Sequence, residues 1–173
     1  LISAPPAFAI NEHLYRTMPF SPERDLIPVA LVAQVPIVLM VPADSPARSL
    51  AELIAMARRE PGRLTFGSSS IGGTNHLAGE LLKSLAAIDI VHVPYRGGAA
   101  AMTDFLAGRV DATLATLLFA RPYLQDNRAV GVAVGNAERS PVLPNVPAVQ
   151  EAIPGAKLTD GLAILAPAAT PAP

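Results

Sequence analysis

Phe66–Leu82 reads FGSSSIGGTNHLAGELL. A strand end runs through serines and glycines into a helical pattern, which is the first half of a βαβ unit. The flanking chain repeats the theme. Upstream, Pro36–Val41 (PIVLMV) is strand-like, and SLAELIAMARRE follows it. There Ser49 and Glu52 have capping-box spacing. Leu50, Leu53, Ile54 and Ala57 fall on one helical face, and Pro61-Gly62 stops the helix. RLTFGS is the strand that enters the quoted loop. The helix leaving that loop is read with Leu77, Leu81, Leu82 and Leu85 on its inner side. Downstream, Asp89–Tyr95 (DIVHVPY) is a strand, RGGAAA a loop, and AMTDFLAG a helix ending at Gly108. VDATLAT and Ala129–Val134 (AVGVAV) are further strands, with the helix-like LFARPYLQ between them. Strand–helix alternation at this spacing predicts an α/β fold built on a parallel sheet.

The chain has 173 residues, 13 of them basic and 14 acidic, for a formal net charge of −1. That length accommodates one large domain or two small ones. The near balance of charge leaves no electrostatic footprint for nucleic acid or an anionic membrane surface. There is no cysteine, which excludes disulfides, thiolate catalysis and Cys-built zinc sites but leaves the compartment open. With no Trp and 5% aromatic residues, stacking on sugars or bases is not expected to dominate binding. The longest apolar run, Ile27–Ala43, is interrupted by Pro28, Gln34, Pro36 and Pro42 and is short for a membrane span. Buried parallel strands account for it better. The opening LISAPPAFAI lacks the basic region of a secretory signal. It reads as a strand end without a beginning, and the closing APAATPAP reads as a stop without a final element. The expectation is therefore a fragment of a longer protein.

Ligands of open α/β sheets sit outside the carboxyl ends of the strands, and SSSIGGT occupies that position. Gly72 and Gly73 let backbone approach a ligand. Thr74 is the expected N-cap, and the first helical turn leaves N–H donors and partial positive charge for an anion. The same serines and Thr74 could instead only cap the helix while the glycines turn the chain; the sequence leaves both readings open. The Lys of a P-loop and the G-x-G-x-x-G spacing are both missing, so no phosphate cofactor is expected. Val93–Ala101 (VPYRGGAAA) is a second glycine loop leading a helix, beside Tyr95 and Arg96. Two such loops on neighbouring strands would face one cleft, with Arg96 read as a solvated surface cation. His13, His76 and His92 are far apart without metal-ligand spacing. No G-x-S-x-G elbow is present. No His or Asp is spaced to activate a serine, His76 being the only nearby candidate. Asp89, Asp104 and Asp111 sit at element ends, where solvated or capping roles are normal.

Three blocks carry a family resemblance: PVALVAQVPIVLMV, the long SLAELIAMARREPGRLTFGSSSIGGTNHLAGELLKSLAAIDIVHVPYRGGAAAMTDFLAGRVD, and RSPVLPNVPAVQEA. Over nearly the whole chain the sequence resembles the Bug-type solute receptors of tripartite tricarboxylate transporters, most specifically through HLAGELLKS and VHVPYRGG. The resemblance implies an α/β fold of the periplasmic binding protein type II kind. It implies two parallel-sheet domains around a hinged cleft, one of them incomplete. Residues 1–35 would belong to the incomplete first domain, 36–131 to the central domain, and 132–173 to the return into the first. It further implies a periplasmic receptor, not an enzyme, that captures a small carboxylate for a membrane permease without cofactor, metal or nucleic acid. Ser68, Ser69, Ser70, Gly72, Gly73 and Thr74 are then the expected ligand contacts, with Tyr95 and Gly97 lining the same cleft. The chain departs from the family pattern where Ala115 and Thr116 replace an Asp-Asn pair and Gly161 replaces a tryptophan. The family's opening Gly-rich loop segment and closing helical region are not matched. An incomplete sheet would expose edges and apolar surface, so the expectation is that the fragment forms a homodimer through those edges, exchanges elements, or is a stable proteolytic core. The rival expectation is a degenerate receptor kept as a protein-interaction or signalling module without a ligand.

Overall fold

A computed structural model describes residues 2–4 and 6–171; the reading of the two chain ends as cut rests partly on residues outside these. The chain divides into two units, Leu1–Val35 with Asp160–Pro173, and Pro36–Thr159. The smaller unit carries β1 (Ile2–Ser3), a π-helical turn (Pro6–Ile10) and two single-turn helices, α1 (Asn11–Leu14) and α2 (Pro22–Asp25). It also holds the first half of β2 (Leu26–Pro42) and nearly all of β7 (Thr159–Pro167). β1 runs antiparallel to β7, with Ile2 opposite Ile164.

The larger unit is a three-layer sandwich. Its strands are the end of β2, β3 (Thr65–Ser68), β4 (Val91–Pro94), β5 (Ala112–Thr116) and β6 (Ala129–Val134), in the order β6-β2-β5-β3-β4. β3 is parallel to both β4 and β5. β2 is antiparallel to β5 and β6, so the sheet is mixed and the expectation of buried parallel strands fails for the Ile27–Ala43 run. Burial on both faces, not strand direction, is what writes a continuous apolar run. That burial also covers only Ile37–Val41; the first half of β2 is largely exposed.

Along β2 the side chains alternate between two cores, as the strand period requires. Ile37, Leu39 and Val41 enter one, and Val38 and Met40 the other. Helices α3 (Leu50–Arg59) and α4 (Thr74–Ala86) cover the first face. Helices α5 (Gly98–Leu106) and α6 (Leu117–Gln125) cover the second. α3 starts as its sequence predicts: Ser49 Oγ accepts from the Glu52 N–H at 3.2 Å. The Glu52 carboxylate reaches back to the Arg48 N–H at 2.6 Å. On α4 the buried stripe is Ala78, Leu82 and Ala86, while Leu81 and Leu85 are exposed. The reading of those two leucines as inward is therefore corrected. Gly79 abuts the Phe66 ring so closely that a Cβ there would overlap it, and this contact turns the small residues of the helix toward the sheet.

The larger unit runs on to Thr159, and the smaller unit resumes at Asp160. β6 runs on through Val134 beside β2. Beyond it, Gly135 donates to the Ile37 carbonyl at 2.7 Å, and Leu158 donates to the Gly135 carbonyl at 2.8 Å. Val149, Ile153, Ala156 and Leu158 complete the first core, so this proline-rich connection is an ordered part of the larger unit.

Candidate functional site

Because β3, β4 and β5 are mutually parallel, their carboxyl ends share one edge of the sheet, and the loops leaving them come together there. The two glycine loops are stitched to each other. Tyr95 N–H donates to the Ser68 carbonyl and Gly97 N–H to the Ser69 carbonyl, each at 2.9 Å. Helices α4 and α5 start from these loops with glycine N-caps, Gly73 and Gly97, which offer no capping side chain. Gly97 lies at φ +104, in the region where only glycine is comfortable. The first-turn N–H groups of a helix have no intrahelical partner and carry the positive end of its dipole.

A recess of about 250 Å3 opens at this edge. Ser69, Asn75 and Thr116 supply polar lining, and Gly98 and Ala99 bring the start of α5 to it. Met102, Leu114 and Phe119 supply apolar lining. Among the described residues no ionisable side chain lines it. Asn75 Oδ1 is buried with no hydrogen-bond partner among the described residues. A half-turn of the amide places Nδ2 there instead, so the position offers an acceptor or a donor pair to whatever enters.

Of the eight residues expected at the site, only Ser69 lines this recess. Ser68 is 1% exposed and belongs to the interior. Ser70 is exposed, and its carbonyl accepts from Ser68 Oγ at 3.0 Å. Gly72 N–H is already directed to His76 Nδ1 at 3.0 Å. Gly73, not Thr74, is the N-cap; Thr74 is the first residue of α4. Gly97 caps α5. Tyr95 turns its hydroxyl to Asp104 Oδ2 at 3.0 Å, and its ring packs against the second core. Arg109 on the other Asp104 oxygen, at 2.7 Å, holds that carboxyl below its usual range, with the Tyr95 hydroxyl adding. Arg96 is exposed, as read.

What the sequence missed is Asn75, one residue past the loop, and the β5–α6 segment with Thr116 and Phe119. The signal existed. β5 reads as a strand of the same sheet, so its carboxyl end belongs to the same edge.

The histidines also correct their reading. His76 and His92 are stacked, with ring centroids 3.9 Å apart, and Ser68 Oγ lies 2.7 Å from His92 Nε2. A serine thus does sit within reach of a histidine, and it is His92. The geometry does not activate the hydroxyl. Ser68 gives its proton to the Ser70 carbonyl, so His92 Nε2 is the donor between them. Burial, with His76 adding, lowers the His92 pKa to about 4. The Oγ is enclosed, away from any substrate. The pair pins the loop: His92 holds Ser68, and His76 holds Gly72. Among the described residues no cluster could hold a metal ion. No helix of the described residues is long and apolar enough to cross a membrane.

Comparison with known proteins places this geometry. The sequence model of the tripartite tricarboxylate transporter family receptor matches residues 2–173. A UPF0065 protein from the tcbD-tcbE intergenic region of Pseudomonas sp. (strain P51) is 38% identical over 164 residues, covering 94% of this chain and 49% of that protein. The structure of R. palustris Rpa4515 with adipate superposes with a TM-score of 0.88 at 37% identity, covering 98% of this chain and 57% of the other. MatC (Rpa3494) from Rhodopseudomonas palustris with bound malate gives 0.85 at 25% identity, with coverage of 98% and 58%. The chain spans about half the length of the curated relatives it matches.

Proposed function

The chain belongs to the tripartite tricarboxylate transporter receptor family, and on that premise we propose that it is a solute-binding receptor whose larger unit grips a carboxylate at the recess beside α4 and α5. Working in the periplasm and delivering its ligand to a membrane permease are extensions of the same proposal, as the family membership suggests. The observation that carries it is the convergence of two glycine-capped helix starts and the unpartnered Asn75 Oδ1 position on a recess that no ionisable side chain lines among the described residues. Neutral N–H donors bind an anion through charge-assisted hydrogen bonds. No proton needs to move, which suits a receptor and asks for no catalytic base. Rpa4515 with adipate and MatC with bound malate support the carboxylate class.

Ala99→Pro tests the reading. Proline is tolerated in the first turn of a helix but carries no N–H, and Ala99 is exposed. Thermal unfolding is followed against mono-, di- and tricarboxylates, because a ligand that binds only the folded state raises the midpoint. The expected result is an upward shift for the parent chain and its loss in the variant, with the ligand-free midpoint little changed. If no acid shifts the parent chain, the carboxylate reading falls and the interaction-module reading takes its place.

A further inference from the structure

The recess has a second character beside its donors, and we propose that it selects the body of the ligand: a carboxylate whose neighbouring atoms are hydrocarbon, aliphatic or aromatic, is taken in preference to a hydroxylated di- or tricarboxylate. This rests on the carboxylate reading of the same site. The Phe119 ring lies against the first residue of α5: a Cβ on Gly98 would stand 3.5 Å from two of its carbons. The aromatic surface is therefore immediately beside the N–H groups that would hold a carboxylate. Met102 follows Gly98 one helical turn later, on the same side of α5, and Leu114 and Ala115 of β5 line the recess with it.

The position of Phe119 is fixed from behind. Its ring is tilted on Tyr123, with centroids 6.0 Å apart, and the Arg128 guanidinium lies 5.5 Å over Tyr123. Phe119 itself remains 39% exposed, so surface is left for a ligand to cover.

A methylene or aryl group placed against Phe119 and Met102 leaves water for an apolar surface, which is favourable in proportion to the area covered. A hydroxyl in that place loses water and finds no polar partner. Of the other polar groups in the recess, the Thr113 hydroxyl is already engaged, donating to the Gly67 carbonyl at 3.1 Å. A second carboxylate next to the first fares worse still, because no cation lines the recess among the described residues. A diacid fits only where a hydrocarbon spacer carries its second charge out of the recess.

The test is an amide-resolved NMR titration of the isotope-labelled chain with hexanoate, benzoate, malate and citrate, read at Asn75, Gly98 and Ala99. Hexanoate and benzoate should bind at least about tenfold more tightly than malate and citrate, the size of effect that one mismatched group gives in an apolar pocket. Phe119→Ser should remove most of that difference, and Phe119→Leu should retain it. If malate or citrate binds as tightly as hexanoate, the inference is overturned and the carboxylate reading stands. If none of the four probes moves these amides, both fall. A preference that survives Phe119→Ser unchanged overturns the role given to the aromatic wall.

Discussion

His92 is a half-buried imidazole with a neighbour of its own kind, and its chemistry sets a pH window for the larger unit. Its pKa is lowered to about 4 from 6.5, first by burial and then by His76, with Lys83 acting the same way and Glu80 opposing. The folded state disfavours the charged ring, so in acid the unfolded chain takes up the proton first. Stability from this site is complete above the unfolded value, declines as the pH falls from about 6.5, and stops declining near 4. Urea midpoints measured at steps across that range should fall with pH in the parent chain, and the slope should be shallower in His92→Gln. Equal slopes in the two proteins would sink the assignment. Nothing in the sequence announces this pair, because His76 is on a helix and His92 on a strand, and only the packing of α4 across β3 and β4 stacks them. The Ser49–Glu52 cap was legible for the opposite reason: its partners are neighbours along the chain, and the geometry that joins them is the helix start itself. The candidate site was half legible in the same way. The glycine loops and their position at the strand ends could be read directly, whereas which N–H groups were already engaged, such as Gly72 with His76, depended on contacts formed by folding.

At the scale of elements, α4 shows what a hydrophobic period can and cannot decide. Its leucines at 77, 81, 82 and 85 form a broad apolar band, and period alone does not say which edge of that band meets the sheet. Close approach decides it. Gly79 sits against the buried Phe66 ring, and Ala78 and Ala86 let the helix settle with Leu82 at the centre of the contact. Leu82→Ala should therefore cost about 2–5 kcal/mol in urea unfolding. Leu81→Glu and Leu85→Glu should each change stability by no more than about 0.5 kcal/mol, as exposed helix positions do. A loss at Leu85 as large as that at Leu82 would mean that the outer side of α4 is covered. Strand direction obeys the same logic: the apolar run of β2 predicted burial and could not predict that β2 meets β5 and β6 antiparallel.

For the molecule as a whole, the first half of β2 is the anomaly. The larger unit exposes large apolar side chains too, Ile71, Leu85 and Leu118 among them, but in β2 Ile27, Val29 and Leu31 stand exposed at alternate positions of one strand, Val29 at 61% and Leu31 at 59%. Alternate positions of a strand share a face, so these three form one continuous apolar stripe in the smaller unit, with exposed Val32 on the other side of the strand. Isolated exposed hydrophobics are ordinary, whereas contiguous ones mark surfaces that associate. With a formal net charge of −1, little long-range repulsion keeps two copies apart. The chain on its own is expected to self-associate through this stripe. Sedimentation velocity over a concentration series should show a weight-average coefficient that rises with concentration. The double substitution Val29→Lys with Leu31→Lys places two charges on the stripe, and solvent already surrounds both side chains, so folding should survive while the rise disappears. If the doubly substituted chain still associates with the same concentration dependence, contact lies elsewhere. If the parent chain sediments as a monomer throughout, the stripe is only an exposed surface and the dimer expectation falls with it.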